Sequence, residues 1–558
     1  MAETIPAAPG AFHPSRTLYR FSILIFVALL SFGSYFAYDI IGAIAPSLIV
    51  ELKAARATVG TMNTMYSIAA ILVVLFGGIL IDKLGTRKAS LLFSVLVFVG
   101  AVIVWQAKSI PVIFLGRFVF GAGSEPLVVA QSAILARWFK NKELALSFGL
   151  TLTVSRLGSL FAFNTGELFT SYFKTYRAAL FVAAAACLIS LLGNLVYIFM
   201  DRRAERIIDL KDENVGEKLR FRGFFFGRLN RLRFFLYWIF AGSAFLVLRF
   251  SLYTLIGLIS NPSGSSQQIA IFSYLLFLLF EIVVSAFLII RRLHDLGKTG
   301  ANWLLMFIPF YNLYFLFSLL FEKGTQGPNQ YGSDPLLQEK VYKPSFWYVT
   351  FLCFTFYAAI FPFQSLSTDF FATKWGIALT AKAGGSFLAQ VFNNLLHIFS
   401  TAGGITSIII FASMLLAPFA GRLVDRVGRR ATFMIAGSLL LIPCHLAMGL
   451  TRIYPVYPMI LLGFAFVLVP AAMWPSVPLI VRSERVGTAF GLMTAIQNIG
   501  LGFFPLLNGL LRDSTGSYVA SQVMFAGLGV IGLVFAMLLK RADAREGGRL
   551  EAAAKKAS

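Results

Sequence analysis

An acid and a base occur near the middle of two consecutive apolar segments of this chain. Glu125 lies in the run 111–136, and Arg156 lies in the run 145–172. A charge at the centre of a bilayer costs at least about 2.5 kcal/mol on insertion scales, so such groups face a cavity or a partner. A carboxylate and a guanidinium together have the chemistry to hold the two ends of a zwitterion, such as an amino acid or a short peptide. The alternative is an ion pair between Glu125 and Arg156 that only locks two helices together.

Other polar residues in apolar segments are further candidates for a binding site. Asp39, which follows Tyr38 in the first segment, is a candidate for binding cation, substrate or proton. Arg117 lies near the outer end of the fourth segment, and Asp369 and Glu167 lie near outer helix ends, where solvated gate residues are expected. Uncharged residues are candidates for lining the cavity, with helix packing as the alternative for each. These are Tyr66, Tyr357, Gln364, Trp474, Gln497 and Asn498.

A short cassette with the pattern G-x-x-x-D-x-x-G-x-R occurs twice. The two copies contain Gly78, Asp82, Gly85 and Arg87, and Gly421, Asp425, Gly428 and Arg430. A carboxylate near a helix end accepts backbone N–H groups, and an arginine there can make charged contacts to the other half of the chain. Such a repeat at equivalent places in two hydrophobic halves is typical of a duplicated membrane transporter. We expect the cassettes to form a cytoplasmic gate, and ordinary basic-loop chemistry is the alternative.

The composition predicts a polytopic membrane protein. The chain has 558 residues, of which 58% are hydrophobic and 13% charged, and its mean hydropathy is +0.78. So much apolar surface requires the bilayer as solvent. The net charge is +23, but the basic residues lie in short loops between apolar runs, which indicates membrane orientation and no nucleic-acid partner. The chain has neither a Walker motif nor H-E-x-x-H, so we expect no enzyme activity, no metal and no cofactor.

Twelve runs are long enough to cross the hydrocarbon, six in each half. They are roughly 21–48, 60–81, 89–106, 111–136, 145–172, 177–199, 346–371, 403–420, 432–450, 456–480, 487–510 and 520–539. Basic residues cluster before first spans and after even-numbered ones, which places both termini and both cassettes in the cytoplasm. The predicted domains are a tail (1–20), a six-helix bundle (21–200), a linker with a membrane insert (201–344), a second bundle (345–541) and a tail (542–558).

The insert must cross the membrane an even number of times if the second cassette is to stay on the side of the first. The runs 232–259 and 269–290 are predicted to span. The run 301–321 is therefore predicted to enter and return, or to lie at the interface, with Pro309 as the break. A further segment at 385–400 has the spacing of an amphipathic helix on the outer surface, and a mere connector is the alternative.

These features resemble the major facilitator superfamily, whose all-α fold has twelve helices in two six-helix bundles and carries this cassette in both. More narrowly, the residues 32–39, 116–121 and 145–158 are similar to the family of major facilitator superfamily domain-containing protein one. Its animal members are lysosomal dipeptide uniporters. The resemblance implies a dipeptide or similar small-molecule substrate, with Glu125 and Arg156 holding the amino and carboxyl ends of the peptide.

The insert departs from that family. Its segments 227–231, 291–297 and 327–332 resemble small bacterial YhaH-like membrane proteins of unknown function. This resemblance implies a bacterial source, an inner-membrane location and a possible membrane-protein partner that binds through the insert. Two other functions stay open, namely a proton-coupled carrier of another small organic ion and a non-transporting sensor or scaffold.

Overall fold

The structure is a computed structural model, and its described residues are almost entirely helical. They are 13–14, 16–139, 144–207, 227–238, 241–242, 245, 264–335, 342–381, 386–481 and 486–552. The chain divides into two compact units. One unit contains Met1–Val215 and Tyr342–Ser558, and the other contains Gly216–Val341.

The first half of the larger unit has six helices. They are α1 (Thr17–Ala43), α2 (Ala45–Glu51), α3 (Arg56–Gln106), α4 (Ile110–Phe139), α5 (Leu144–Phe173) and α6 (Tyr176–Glu205). The long helix α3 is two predicted spans joined at Gly85, whose φ of 75° and ψ of 160° interrupt the helix. Glycine adopts such a backbone at little steric cost. The first cassette is therefore a sharp bend between two spans.

The smaller unit contains the long helix α7 (Gly264–Asp295). A short hairpin follows, whose two arms are a 3-10 helix over Gly300–Phe307 and the helix α8 (Tyr311–Phe321). The chain reverses at Pro309–Phe310, where Phe310 has a φ of 65°. Lys298 Nζ donates to Glu322 Oε2 at 2.9 Å, which lowers the pKa of the Glu322 carboxyl and joins the two ends of the hairpin. The segment 299–321 therefore ends close to where it begins. Most of the predicted span 232–259 lies outside the described residues.

The second half of the larger unit has eight helices. They are α9 (Pro344–Gln364), α10 (Ser367–Trp375), α11 (Phe387–Leu396), α12 (Ala402–Val427), α13 (Arg430–Leu450), α14 (Val456–Ile480), α15 (Val486–Thr515) and α16 (Val519–Glu546). Among the described residues, nine helical stretches are long and apolar enough to cross a membrane. The first part of α3 (56–83), α5 and α12 complete a twelve-helix fold in two bundles.

The ends of the spans of the larger unit lie at two faces, which we call the terminal face and the opposite face. The terminal face contains the bend at Gly85, the start of α9 and the end of α16. The opposite face contains α2, α10 and the short helix α11. The helix α11 exposes Leu388 and Phe392, which are 77% and 65% exposed, while Asn394 is buried. The segment predicted to be amphipathic therefore contains a short helix that exposes apolar side chains.

Candidate functional site

The Glu125 carboxylate is held from the neighbouring helix. It lies near the middle of the 30-residue helix α4, and Tyr66 Oη of α3 donates to Glu125 Oε1 at 2.9 Å. The two helices approach closely because Gly121, one turn earlier, packs directly on the Tyr66 backbone with no room for a Cβ atom. Ser124 joins this group to α1, since its Oγ lies 2.7 Å from the Ser34 Oγ and 3.1 Å from the Tyr66 hydroxyl.

The Arg156 guanidinium lies among aromatic rings. Its Cζ is 5.2 Å from the ring centroid of Tyr35 in α1, 5.2 Å from that of Phe466 in α14 and 5.9 Å from that of Phe361 in α9. The electron-rich faces of these rings attract the cation. Since α9 and α14 belong to the other bundle, Arg156 lies at the interface between the two bundles. Its Nε atom is buried and has no hydrogen-bond partner among the described residues.

Glu125 and Arg156 border the same turn of α1. Ser34, which contacts Ser124, is followed by Tyr35, which contacts Arg156. No ion pair within 4.0 Å joins Glu125 to Arg156 in the described part of the chain. The two side chains are partly exposed in the interior of the protein. The ion pair that the helix-locking alternative requires is therefore absent from the described structure.

Arg117 is a structural clamp between three helices. The residue is 2% exposed, and its guanidinium donates to Ala37 O (3.1 Å), Met62 O (3.3 Å) and Asn63 Oδ1 (2.8 Å). Its Cζ also lies 5.3–5.4 Å from three ring centroids. These belong to Tyr38, Tyr66 and Phe120. Each of its three nitrogen atoms donates to a protein partner, so Arg117 positions the aromatic side chains beside Glu125.

Asp39 and Tyr38 lie on α1 beside this clamp. The Tyr38 ring packs edge-on against Tyr66, with 4.7 Å between the centroids. Asp39 is 6% exposed, and within the described residues no lysine or arginine nitrogen lies within 4.0 Å of its carboxylate. The structure therefore places Tyr38 and Tyr66 beside Glu125, and Asp39 follows Tyr38 on α1.

Two of the candidates in the second bundle form a pair that reaches Arg156. Trp474 Nε1 donates to the Tyr357 hydroxyl at 2.9 Å, and the Tyr357 ring stacks on Phe361 with centroids 5.6 Å apart. Phe361 in turn contacts the Arg156 guanidinium. Tyr357 and Trp474 therefore extend the aromatic wall around Arg156 into the second bundle.

The other candidates in the second bundle make different contacts. Gln497 Oε1 accepts from Cys353 Sγ at 3.8 Å, and Asn498 Nδ2 donates to Thr494 O of its own helix at 3.0 Å. The Asn498 Oδ1 atom is buried and has no hydrogen-bond partner among the described residues. Gln364 is buried at the end of α9, toward the opposite face. Contacts of this kind also occur between packed helices that bind no ligand, so they do not distinguish a binding role from helix packing.

Sequence reasoning missed Tyr35 and Phe466 as neighbours of Arg156. Tyr35 had a usable signal, because it precedes Tyr38 and Asp39 by three and four residues and so shares their helix face. Phe466 had none, since a phenylalanine within an apolar span is ordinary. Its position beside Arg156 depends on how the two bundles meet.

The first cassette makes its charged contacts within one bundle. Arg87 Nε lies 3.1 Å from Asp201 Oδ2 of α6, and Arg87 also pairs with Glu205. Asp201 is fully buried and accepts from Arg137 NH1 (3.1 Å) and from Trp138 Nε1 (2.8 Å). Among the described residues, the expected contact of Arg87 with the other half is absent from this conformation. Asp201 and Glu205 of α6 hold the arginine within its own bundle instead.

The second cassette, like the first, has a glycine with a positive φ at the end of a helix. Gly428 has a φ of 69°, close to the 75° of Gly85, and ends α12 as Gly85 ends the first part of α3. The backbone N–H of Arg430 donates to Leu550 O at 2.8 Å, again within one bundle. The space beside Gly421 is open, since a Cβ atom at this position would meet none of the described atoms within 4 Å. The side-chain positions at Gly78, Asp82 and Asp425 lie outside the described set.

The two bundles are joined toward the opposite face. Arg56 of α3 donates to Asp369 of α10 through Nε (2.7 Å) and NH2 (3.2 Å), and Tyr518 Oη donates to Asp369 at 2.5 Å. Deeper in the same half, Thr64 Oγ1 donates to Gly502 O at 2.6 Å. The hydrogen bonds and ion pairs that join the bundles through described residues all lie in this half. The conformation is therefore closed at the opposite face.

Asp369 and Glu167 differ from the sequence expectation of solvated gate residues. Asp369 is 4% exposed and Glu167 is 7% exposed. Asp369 is buried because Arg56 and Tyr518 supply its hydrogen bonds. Glu167 is buried because Ser47 Oγ donates to it at 2.6 Å.

The family assignment rests on a match over most of the chain. A model of the Major Facilitator Superfamily matches residues 27–390 and 370–558. The chain belongs to the major facilitator superfamily. It is thus a multi-pass transmembrane transporter of a small-molecule substrate, as the sequence predicted.

Similar proteins include transporters and a small membrane protein. The chain is 25% identical to the lysosomal dipeptide transporter MFSD1 of Homo sapiens, over 99% of this chain and 93% of that protein. It is 43% identical over 61 residues to the inner membrane protein YhaI of Escherichia coli K12, which is 11% of this chain and 52% of YhaI. A crystal structure of a peptide transporter POT in complex with sulfate has a TM-score of 0.58 and 13% identity, and covers 95% of this chain and 96% of that one. This last likeness concerns the fold alone.

Proposed function

We propose that the protein carries dipeptides across the membrane by alternating access. The Glu125 carboxylate binds the peptide ammonium, and Arg156 binds the peptide carboxylate through a charge-assisted, forked hydrogen bond. The observation that supports this proposal most is the unpaired state of these two opposite charges on either side of the Tyr35 turn. The dipeptide transporters to which the chain is similar over nearly its full length support the substrate class.

Other candidates have supporting roles in this proposal. Tyr66 orients the Glu125 carboxylate, and Arg117 orients Tyr66 and Tyr38. Tyr357 and Trp474 contribute the second-bundle wall, so a ligand held by Arg156 contacts both bundles. Gln364, Gln497 and Asn498 are proposed to complete the cavity in other conformations. A ligand that touches both bundles can bias their relative orientation, which transport by rocking requires.

We propose that the cassettes form the gate at the terminal face. In the present conformation the bundles are joined at the opposite face, and Arg87 is held by its own bundle. Closure at the terminal face would bring the residues of one cassette against the other bundle. Gly85 and Gly428 give each cassette a rigid bend from which Asp82, Arg87, Asp425 and Arg430 can make these contacts.

The protein is proposed to lie in a bacterial inner membrane with both termini in the cytoplasm. The basic loops on the terminal face and the similarity to an inner membrane protein support this placement.

We propose uniport as the mode of transport, following the resemblance of the 32–39, 116–121 and 145–158 segments. The alternative is proton coupling through Asp39, whose buried carboxyl has no lysine or arginine nitrogen within 4.0 Å among the described residues. Substrate-evoked acidification of vesicles, if present, identifies coupling.

Counterflow in proteoliposomes tests the carrier function. Vesicles loaded with unlabelled dipeptide should accumulate a labelled dipeptide, and Glu125→Gln and Arg156→Ala should each abolish this uptake. Arg545→Ala, at an exposed site on α16, is the control for loss of one arginine. Unchanged uptake in both site variants would refute the site.

Deletion of 220–335 should spare uptake, whereas a scaffold that acts through the insert would lose its function.

A further inference from the structure

A groove on the second bundle has a basic end that lies within the second cassette. It has a volume of about 510 Å³ and lies between α12 and α14. Leu416, Phe419 and Leu423 line it on α12, and Phe464 and Val467 line it on α14. Arg422 and Arg426 lie at the end of the groove toward the terminal face. The groove therefore changes from apolar to cationic along its length.

The groove faces away from the substrate site. Phe466, which contacts Arg156, points toward the interior between the bundles. Phe464 precedes it by two residues, which corresponds to about 200° around a helix, so the two rings lie on opposite sides of α14. Phe464 is 45% exposed and Phe419 is 67% exposed, whereas Val467 is 4% exposed. The groove has an exposed aromatic rim and a buried floor on the lipid-facing side.

The length of the groove corresponds to one leaflet. Leu416 and Arg426 are ten residues apart on α12, so they are separated by about 15 Å along the helix axis. Half of a bilayer hydrocarbon core is also about 15 Å thick. If Arg426, one residue before the end of α12, is at the headgroup level, Leu416 is near the bilayer centre.

The two arginines are free to bind an anion. Arg422 and Arg426 are four residues apart on one helix, so they lie one above the other on the same face. Both are exposed, and neither forms an ion pair within the described residues. Basic pockets between transmembrane helices at the headgroup level are suited to anionic lipid headgroups. An apolar groove of leaflet length with a cationic end matches the shape and charge of one such lipid.

We propose that this groove binds an anionic phospholipid from the leaflet at the terminal face. An acyl chain lies between Phe419 and Phe464, and the phosphate accepts hydrogen bonds from Arg422 and Arg426. Two arginines close to an anionic surface raise the affinity by roughly thirtyfold. The site is distinct from the Glu125 region and does not depend on the identity of the transported solute.

Native mass spectrometry of the full-length protein tests the proposal. Protein released from nanodiscs of phosphatidylcholine with phosphatidylglycerol should retain phosphatidylglycerol, and Arg422→Gln/Arg426→Gln should reduce its affinity by about tenfold or more. The matched control is Arg541→Gln/Arg545→Gln, because these exposed arginines also lie four residues apart near the terminal face but line no part of this groove. Equal retention by wild type and the first double variant would overturn the proposal, as would an equal loss in both double variants.

A second measurement separates a lipid site from a general anion site. Phosphatidylglycerol should raise the unfolding temperature of the detergent-solubilised wild type, and inorganic phosphate should not. Unfolding of Arg422→Gln/Arg426→Gln in phosphatidylcholine alone should match wild type, since both side chains are exposed. Stabilisation by inorganic phosphate to the same extent as by phosphatidylglycerol would overturn the acyl-chain part of the proposal.

Discussion

Arg56 and Asp369 form a two-pronged ion pair that joins the two bundles at the opposite face. The Arg56 Nε and NH2 atoms donate to the two carboxylate oxygens of Asp369 at 2.7 and 3.2 Å. Asp369 is almost fully buried, and Tyr518 donates to it as well. A desolvated, charge-assisted pair of this kind contributes more than an exposed one. It is positioned to hold this face closed.

Asp369→Asn should favour opening of the opposite face. The change removes the negative charge but keeps the size of the side chain, so Arg56 loses an interaction of about 1.5–3 kcal/mol. We expect the open population to rise by roughly tenfold or more. Spin labels at Lys53→Cys and Ser517→Cys, both exposed at this face, report the separation of the bundles by pulsed electron resonance.

The Glu51→Gln variant is the control for this experiment. Glu51 is also at the opposite face, but it accepts from Tyr176 N within the first bundle. Its substitution should leave the distance distribution unchanged. If Asp369→Asn gives the same distribution as wild type, the ion pair does not hold the face closed.

Arg117 and Arg156 should respond differently to replacement by lysine. Arg117→Lys loses at least two of three hydrogen bonds to buried acceptors, so we expect a loss of about 2 kcal/mol or more in the free energy of unfolding. Arg156→Lys should leave stability nearly unchanged and weaken substrate binding, because Arg156 donates no hydrogen bond within the described residues. Thermal unfolding with and without dipeptide measures both. Equal destabilisation by the two substitutions would contradict the division of roles.

The sequence predicts the fold more completely than the site, for a physical reason. Span length and charged-loop patterns follow from the bilayer, so the two bundles can be predicted, as can Glu125 and Arg156 as costly charges. The state of these charges depends on tertiary contacts. Tyr66 as the donor to Glu125 requires the close approach at Gly121, and burial of Asp369 requires Arg56 from a distant segment. Neither relationship has a local sequence signal.

The hairpin of the smaller unit should present both of its ends to the same aqueous compartment. Lys298 and Glu322 are joined at 2.9 Å, and each arm between them is too short to span a bilayer. Cysteines introduced at Lys298 and Lys323 should therefore react with an impermeant maleimide from one side only, and from the same side. A cysteine at Phe310, which is 88% exposed and apolar, should be protected by lipid. Labelling of Lys298→Cys and Lys323→Cys from opposite sides would show a single crossing.

The residues after α16 should stabilise the start of α13. Glu551 accepts from Thr432 N at 3.1 Å and from Thr432 Oγ1 at 2.8 Å, and so acts as a helix cap supplied by the segment that follows α16. A carboxylate at a helix N-terminus adds about 1 kcal/mol. Glu551→Ala should speed hydrogen exchange of amides in the first turn of α13 by roughly fivefold. Glu546→Ala is the control, because Glu546 caps Ser345 of α9 and should affect exchange there. Unchanged exchange at α13 in Glu551→Ala would exclude the capping role.

The most direct test of the dipeptide site pairs each charged residue with one end of the ligand. Dipeptide, N-acetyl dipeptide and dipeptide amide are titrated against wild type, Glu125→Gln and Arg156→Ala by isothermal calorimetry. Each lost charge contact should weaken binding to wild type by about 1.5–3 kcal/mol. N-acetylation should cost no further affinity in Glu125→Gln, and amidation should cost none in Arg156→Ala. If the loss of binding free energy from each ligand modification simply added to the loss from the matching substitution, Glu125 would not contact the ammonium and Arg156 would not contact the carboxylate.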